Sequence, residues 1–247
     1  MVQNIYDNET FFEGYKNIRS KQYNYNNLFE QPQFLSMLPA LENKRVLDIG
    51  CGYGDFAAFC INQGAQYVTG LDVSSNMISH AQASHQHKNL TFKNEAIETV
   101  TLAPQSYDLV CSSLALHYVQ DFKLAICKIS EALNENGVLV FSCHHPLISA
   151  TIAEDEWLRD EQNIPQYFKL NAYHHEGKRN LNWIVDEVVV YHRKLSTIIN
   201  TLIECGLQIE QIAEPEPSDE AILKMPSIKK EKERPVFLFV RARKQNY

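Results

Sequence analysis

Short, continuously apolar runs alternate along this chain with stretches in which apolar residues recur at helical spacing. Val46–Gly50 reads as a first strand and Asp55–Asn62 as a helix. Tyr67–Asp72 reads as a second strand, and Ser74–Ser84 as a helix capped by Ser74 or Ser75. Leu90–Asn94 and Tyr107–Ser112 follow as strands. Phe122–Leu133 has helical spacing and stops near Asn136-Gly137, and Val138–Cys143 is a fifth strand. Lys194–Cys205 reads as a helix ending at Gly206, with strands at Leu207–Ala213 and Val236–Arg243. Strands without polar alternation are buried on both faces, so the rhythm predicts an α/β fold of Rossmann-like type, a doubly wound and mostly parallel sheet.

Two regions break the rhythm. Pro146 to about Val190 scatters Trp157, Tyr167, Phe168, Tyr173 and Trp183 among charged residues, which predicts an insert over the active edge of the sheet. The segment EPEPSDEAILKMPSIKKEKERP is rich in proline and charge and reads as an exposed loop.

The chemistry concentrates in VLDIGCGYG, Val46–Gly54. There an apolar strand ending in Asp48 runs into Gly50, Gly52 and Gly54 before a helix begins at Asp55. Residues without Cβ let a ligand lie against the backbone. Asp72, about twenty positions on at the end of the second strand, is placed to accept both ribose hydroxyls of a nucleoside. The spacing is G-x-G-x-G instead of the dinucleotide G-x-G-x-x-G, and Asp55 would compete with a pyrophosphate for the positive helix end. An aminoacyl group carrying an ammonium suits Asp48 and the loop carbonyls better. In such a sheet Asp48, Asp72, Glu95, Ser112 and His144 all fall at carboxyl strand ends, where ligands collect.

Composition narrows the partners. A net charge of −7 and no uninterrupted basic run argue against nucleic acid. No stretch has the length of a membrane span and the first twenty residues lack an apolar leader core, so a cytoplasmic protein without membrane partners is expected. The six cysteines form no C-x-x-C pair and are expected to be reduced and buried. His144–His145 and His174–His175 are adjacent pairs that point to opposite faces of a strand, so no metal site is expected.

With these motifs together, the chain resembles class I S-adenosylmethionine (SAM) methyltransferases of the bacterial small-molecule type (type 11/25), akin to the ubiquinone and biotin biosynthetic enzymes. The resemblance implies a seven-stranded sheet with an antiparallel last strand. It implies SAM as cofactor and S-adenosylhomocysteine as product, methyl transfer to O, N or C of a small-molecule acceptor, and leaves a homodimer open. It divides a single domain into a helical lid (1–45), a SAM-binding core (46–145), a substrate-covering insert (146–192) and a return to the sheet (193–247). Asp48, Gly50, Cys51, Gly52 and Gly54 would hold the methionine part, Asp72 the ribose, and Val73 and Met77 the adenine faces. Glu95, Ala96 and Ile97 would line the adenine edge, and Ser112 would lie by the sulfonium. Tyr15 and Arg19, in YDNETFFEGYKNIRS, would close over the cofactor, with Arg19 meeting its carboxylate.

Methyl transfer needs alignment, exclusion of water and, for some acceptors, proton removal. His117, in LALHYV, is the first general-base candidate, with His145 beside it as a second. His144, Tyr173, Arg179, Trp183, Tyr191, His192 and Arg193 are the candidates for the acceptor pocket. There arginine would favour a carboxylate or phosphate, and the aromatics a flat or apolar body. The alternatives are a nucleic-acid methyltransferase, disfavoured because CSSLAL replaces a motif such as N-P-P-Y after the fourth strand, and a non-catalytic SAM-binding module.

Overall fold

The computed structural model describes residues 4–152 and 156–245. The chain enters through helix α1 (Glu9–Ser20), a π-helical turn (Asn26–Glu30) and α2 (Gln31–Ser36). It then alternates: β1 (Arg45–Ile49), α3 (Asp55–Asn62), β2 (Tyr67–Asp72), α4 (Ser75–Ser84), β3 (Leu90–Asn94), β4 (Tyr107–Ser113), α5 (Phe122–Ala132) and β5 (Leu133–His144). A short α6 (Pro146–Ser149) leads into two hairpins, β6 (Trp157–Arg159) with β7 (Pro165–Phe168), and β8 (Gly177–Trp183) with β9 (Val185–His192). Then come α7 (Leu195–Glu204), β10 (Leu207–Ala213), α8 (Asp219–Lys224), a 3₁₀ segment (Pro226–Lys232) and β11 (Phe237–Lys244).

The central sheet has seven strands in the order β10-β11-β5-β4-β1-β2-β3, with β11 antiparallel to both neighbours. Strand order reverses between β1 and β4, which opens a crevice at their carboxyl ends. Alternate strand residues build two apolar layers. Val46, Leu109, Cys111, Val140 and Phe239 face α3, α4 and the N-terminal helices. Leu47, Val110, Leu139, Phe141 and Val240 face α5 and α7. The doubly wound sheet with an antiparallel last strand is the fold the sequence predicts. No helix among the described residues is long and apolar enough to cross a membrane.

Three local readings change. The helix before β5 ends at Ala132, not at Asn136-Gly137, because Leu133 onward pairs with β4 and β11 and captures the backbone for the sheet. The segment after β10 is not an open loop: α8 and the 3₁₀ segment bury Ala221, Ile228 and Glu231. Of the six cysteines, Cys51, Cys60, Cys111 and Cys143 are free and buried, whereas Cys127 and Cys205 form a disulfide between α5 and the end of α7.

Candidate active site

The glycine loop emerges from β1 at the switch point. Gly50 N–H and Cys51 N–H both donate to the Leu71 carbonyl, which ties the loop to β2. Gly50 has φ +73°, and a Cβ there would lie 2.3 Å from the Ala115 Cβ of the loop after β4, so a side chain is barred twice. Gly52 has φ +51° and its Cβ direction is open for 4 Å. Its N–H donates to Asp72 Oδ2 at 2.9 Å, while Asp72 Oδ1 accepts from Ser74 N–H at 2.9 Å. A carboxylate so fixed keeps lone pairs for a diol. Burial pushes the Asp72 carboxyl up, against the pull of these backbone donors.

Asp48 is buried beneath the loop with Oδ2 lacking a hydrogen-bond partner. Burial, then the Asp72 charge, pushes its carboxyl up to about 8. A cation placed beside its free oxygen would reverse that shift and ionise it. A backbone cradle, a fixed carboxylate and an unsatisfied buried acid fit the aminoacyl nucleoside SAM. Met77 and Ile97 are buried beside the crevice, Glu95 is exposed, and Ala96 and Val73 are half-buried. Ser112 is buried and its hydroxyl donates to the Ile49 carbonyl, so it braces β4 against β1.

The N-terminal segment is fastened over this crevice. Asp7 accepts from Ser74 Oγ (2.6 Å), Ser75 and the Asn76 N–H at the start of α4. Burial would raise its carboxyl, but these donors bring it to about 2. Tyr15 packs against Tyr6, Tyr53 and Trp183, with centroids 5.1, 6.0 and 6.2 Å away, and Tyr6 reaches Tyr118 at 6.3 Å. Arg19 lies 3.6 Å from Asp55 at the start of α3. Trp183, expected in the acceptor pocket, belongs to this aromatic cover.

A second compartment lies beyond the β4 loop. Ala115 touches the glycine loop, and two residues later His117 lines a cavity shared with His144, Ser149, Tyr191 and Arg193. The rings of His117 and His144 stack with centroids 3.8 Å apart. Burial holds both imidazoles neutral, His144 at about 4 and His117 well below its usual value. His117 Nδ1 accepts the His144 backbone N–H at 3.4 Å, which leaves the ring proton of the neutral form on Nε2. In this tautomer His117 carries a donor on Nε2, while Nδ1, its basic nitrogen, is engaged with the His144 N–H.

The other candidates separate. His145 turns to the opposite face, caps α6 through Nδ1 and meets Glu214 at 2.7 Å through Nε2. His192 is fully buried, with Nδ1 on Ser149 Oγ and Nε2 on the Tyr173 carbonyl. Tyr173 Oη accepts from Leu195 N–H at the start of α7. Arg179 is spent on the carbonyls of Ser149, Ala172, His175 and Lys178. The structure thus brings His117, His144, Tyr191 and Arg193 together, and makes braces of His145, Tyr173, Arg179 and His192. Sequence reasoning missed Tyr6, Asp7, Tyr118 and Glu30. The last is a fully buried carboxylate that accepts from Ser113 and Ser142 hydroxyls at 2.9 and 2.6 Å. Tyr6 and Asp7 open the YDNETFFEGYKNIRS segment and Tyr118 follows His117, so these carried a local signal, and Glu30 carried none.

Comparison with known proteins agrees with this geometry. Residues 47–141 match the methyltransferase domain family. The chain is 35% identical to an uncharacterized protein of Haemophilus influenzae over 97% of its own length and 96% of the relative's. It is 34% identical to a malonyl-[acyl-carrier protein] O-methyltransferase of Enterobacter lignolyticus, over 44% of this chain and 42% of that enzyme. Among solved structures, an S-adenosylmethionine-dependent methyltransferase of Mesorhizobium loti superposes with a TM-score of 0.82 at 36% identity, covering 87% of this chain and 97% of the other. With the glycine cradle, the paired acids and this whole-length likeness in hand, the chain belongs to the S-adenosylmethionine-dependent methyltransferases.

Proposed function

We propose that this enzyme methylates a small molecule held in the compartment between the β4 loop, the end of β5 and the β8–β9 hairpin. The observation that carries the reading is the β4 loop itself. It touches the glycine cradle at Ala115 and the His117–His144 cavity two residues on, so a group in the cavity is directed toward the cofactor. SAM supplies, when bound, an electrophilic methyl group on a sulfonium.

The chain's residues do the positioning. Asp72 and the backbone around Gly52 orient the nucleoside end, and Asp48 meets the ammonium. Residues 4–45 serve as a lid, with Tyr6, Tyr15 and Trp183 excluding water from the crevice. Of the insert, α6 and the β8–β9 hairpin cover the acceptor. His117 holds a polar group of the acceptor by a hydrogen bond from its Nε2–H and fixes its approach. The O-methyltransferase name of the Enterobacter relative supports oxygen as the accepting atom. The net charge of −7 and the closed, aromatic-covered site support a small acceptor over nucleic acid.

The test supplies methyl-labelled SAM to the protein with a low-molecular-mass cell extract or, separately, with total RNA and DNA. Label is expected in the small-molecule fraction. Label in nucleic acid overturns the reading. With the labelled product identified, His117→Gln, which keeps a donor near Nε2, is expected to retain most turnover, whereas His117→Ala loses about tenfold or more. Equal loss in both restores the general-base role.

A further inference from the structure

Arg193 follows β9 directly and sits in the wall of the His117–His144 cavity. Its Nη groups donate to the carbonyls of Tyr191, Val119 and Gln120, and its guanidinium lies over the rings of Phe122 (5.1 Å) and Tyr191 (5.6 Å). Arg19, Arg234, Arg241 and Arg243 each have a carboxylate within 4 Å, but Arg193 has none among the described residues. The charges of Glu176 and Asp121 act on Arg193 without an ion pair, Glu176 accepting the Lys194 N–H and Asp121 capping α5.

The rest of the polar lining adds no negative charge. Among the described residues no Asp or Glu lines the cavity; beside Arg193 its polar groups are His117, Cys143, His144, Ser149 and Tyr191. His144 Nδ1 is buried and has no hydrogen-bond partner. His117 presents the Nε2 proton that its bond with His144 leaves over. A half-buried cation without a counter-ion, beside an N–H donor and an unsatisfied ring nitrogen, is an incomplete arrangement. Carbonyls orient a guanidinium but do not neutralise it.

Resting on the acceptor reading above, we infer that the acceptor carries an oxyanion, a carboxylate or phosphate, which Arg193 and His117 bind together in this cavity. The cavity has a volume of about 20 Å³, room for one oxygen atom, so one oxygen of the anionic group enters it and the rest of the group stays at its mouth. The guanidinium N–H groups not given to Tyr191, Val119 and Gln120, on Nε and Nη1, are left to meet it as single donors. The anion supplies the charge that this wall lacks, and its approach sets which part of the acceptor faces the cofactor. Tyr191, whose hydroxyl donates to Gln120, forms the side of the entrance.

The experiment uses full-length protein saturated with S-adenosylhomocysteine and follows the His117 and His144 ring resonances by NMR. Benzoate and phenyl phosphate are titrated as probes, with benzamide as the neutral counterpart of benzoate. Either anion is expected to shift both rings and to bind about tenfold tighter than benzamide. The stronger of the two tells carboxylate from phosphate. Arg193→Lys should weaken that anion several-fold, and Arg193→Gln should abolish the preference over benzamide. The comparison of benzoate with benzamide in the native protein needs no variant, so a misfolded Arg193→Gln does not blunt it. Benzamide binding as tightly as both anions overturns the inference, as does anion binding that leaves both rings unmoved. S-adenosylhomocysteine binding, measured in the same sample, is separate. Its loss would sink the enzyme assignment and not this one alone.

Discussion

The cofactor half and the acceptor half of this molecule are built by different means. Around the glycine loop nearly every placement comes from backbone within a few residues of a strand end: Gly50 and Cys51 on Leu71, Gly52 on Asp72, Ser74 on Asp72. In the acceptor half the placements are made by side chains far apart in sequence: His192 with Ser149 and Tyr173, Arg193 with Val119 and Gln120, His117 with His144. The first kind is rigid because regular elements supply it. The second is as stable as each pair. One domain can thereby keep its cofactor and change its acceptor.

The sharpest break of that contrast is a pair of substitutions. Gly50→Val meets a positive φ and the Ala115 methyl at once, and is expected to weaken S-adenosylhomocysteine binding more than about 100-fold, roughly 3 kcal/mol. His192→Ala strands the Ser149 hydroxyl and the Tyr173 carbonyl, and should lower unfolding stability by about 2 kcal/mol. It should leave cofactor affinity within about twofold of native, because its partners lie outside the glycine loop. Calorimetry and urea unfolding on both variants decide it. Loss of cofactor binding in His192→Ala would mean that the halves are coupled.

The next effect belongs to the acceptor half alone. The Cys127–Cys205 bridge joins α5 to the end of α7, and Phe122 and Ile198 of these helices line the cavity. Its loop spans 78 residues, so reduction is expected to lower stability by about 2–4 kcal/mol through the unfolded chain. Cofactor affinity should not change. Unfolding with and without reductant, alongside Cys127→Ser, measures it. A midpoint that does not move removes the bridge as a determinant.

The same contrast explains what could be read in advance. The strand–glycine–helix unit and Asp72 were legible because their chemistry is local: a turn needing positive φ and an acid closing a strand. The seven-stranded order and its antiparallel last strand followed from the rhythm and the family resemblance. His117 and Arg193 were legible as residues but not as partners, since nothing in LALHYV or YHRK says which ring stacks on which. His145 and His192 look like site residues in sequence, and only their long-range bonds to Glu214, Ser149 and Tyr173 make them braces. Glu30 left no trace, because its partners Ser113 and Ser142 lie 83 and 112 residues away. The disulfide escaped for the same reason.

The last prediction separates the halves by the sign of their titration. Asp48 has a folded value of about 8, above the ordinary carboxylate range, so the folded chain holds a proton that the unfolded chain has lost. The stability it contributes is complete below about pH 4 and falls as pH rises toward 8, by at most about 1.4 kcal/mol per pH unit. His144 runs the other way. Its folded value of about 4 lies below the ordinary imidazole value, so its contribution is complete above about pH 6.5 and is lost as pH falls toward 4. Between pH 4 and 6.5 the two oppose each other, and from 6.5 to 8 Asp48 acts without that opposition. Asp48→Asn should therefore flatten the decline from pH 6.5 to 8 and uncover a rise from pH 4 to 6.5. His144→Gln should weaken the opposing rise between pH 4 and 6.5, part of which His117, His145 and His192 keep, since burial holds their imidazoles down as well. Asp72 and Glu30, also pushed up by burial, keep a residual slope of the Asp48 sign in either variant. Urea unfolding at pH 5, 6.5 and 8 resolves these slopes. A native profile unchanged by both substitutions would mean that neither half stores its charge state in the fold, and that the unpaired acid and the stacked imidazoles are solvated in solution.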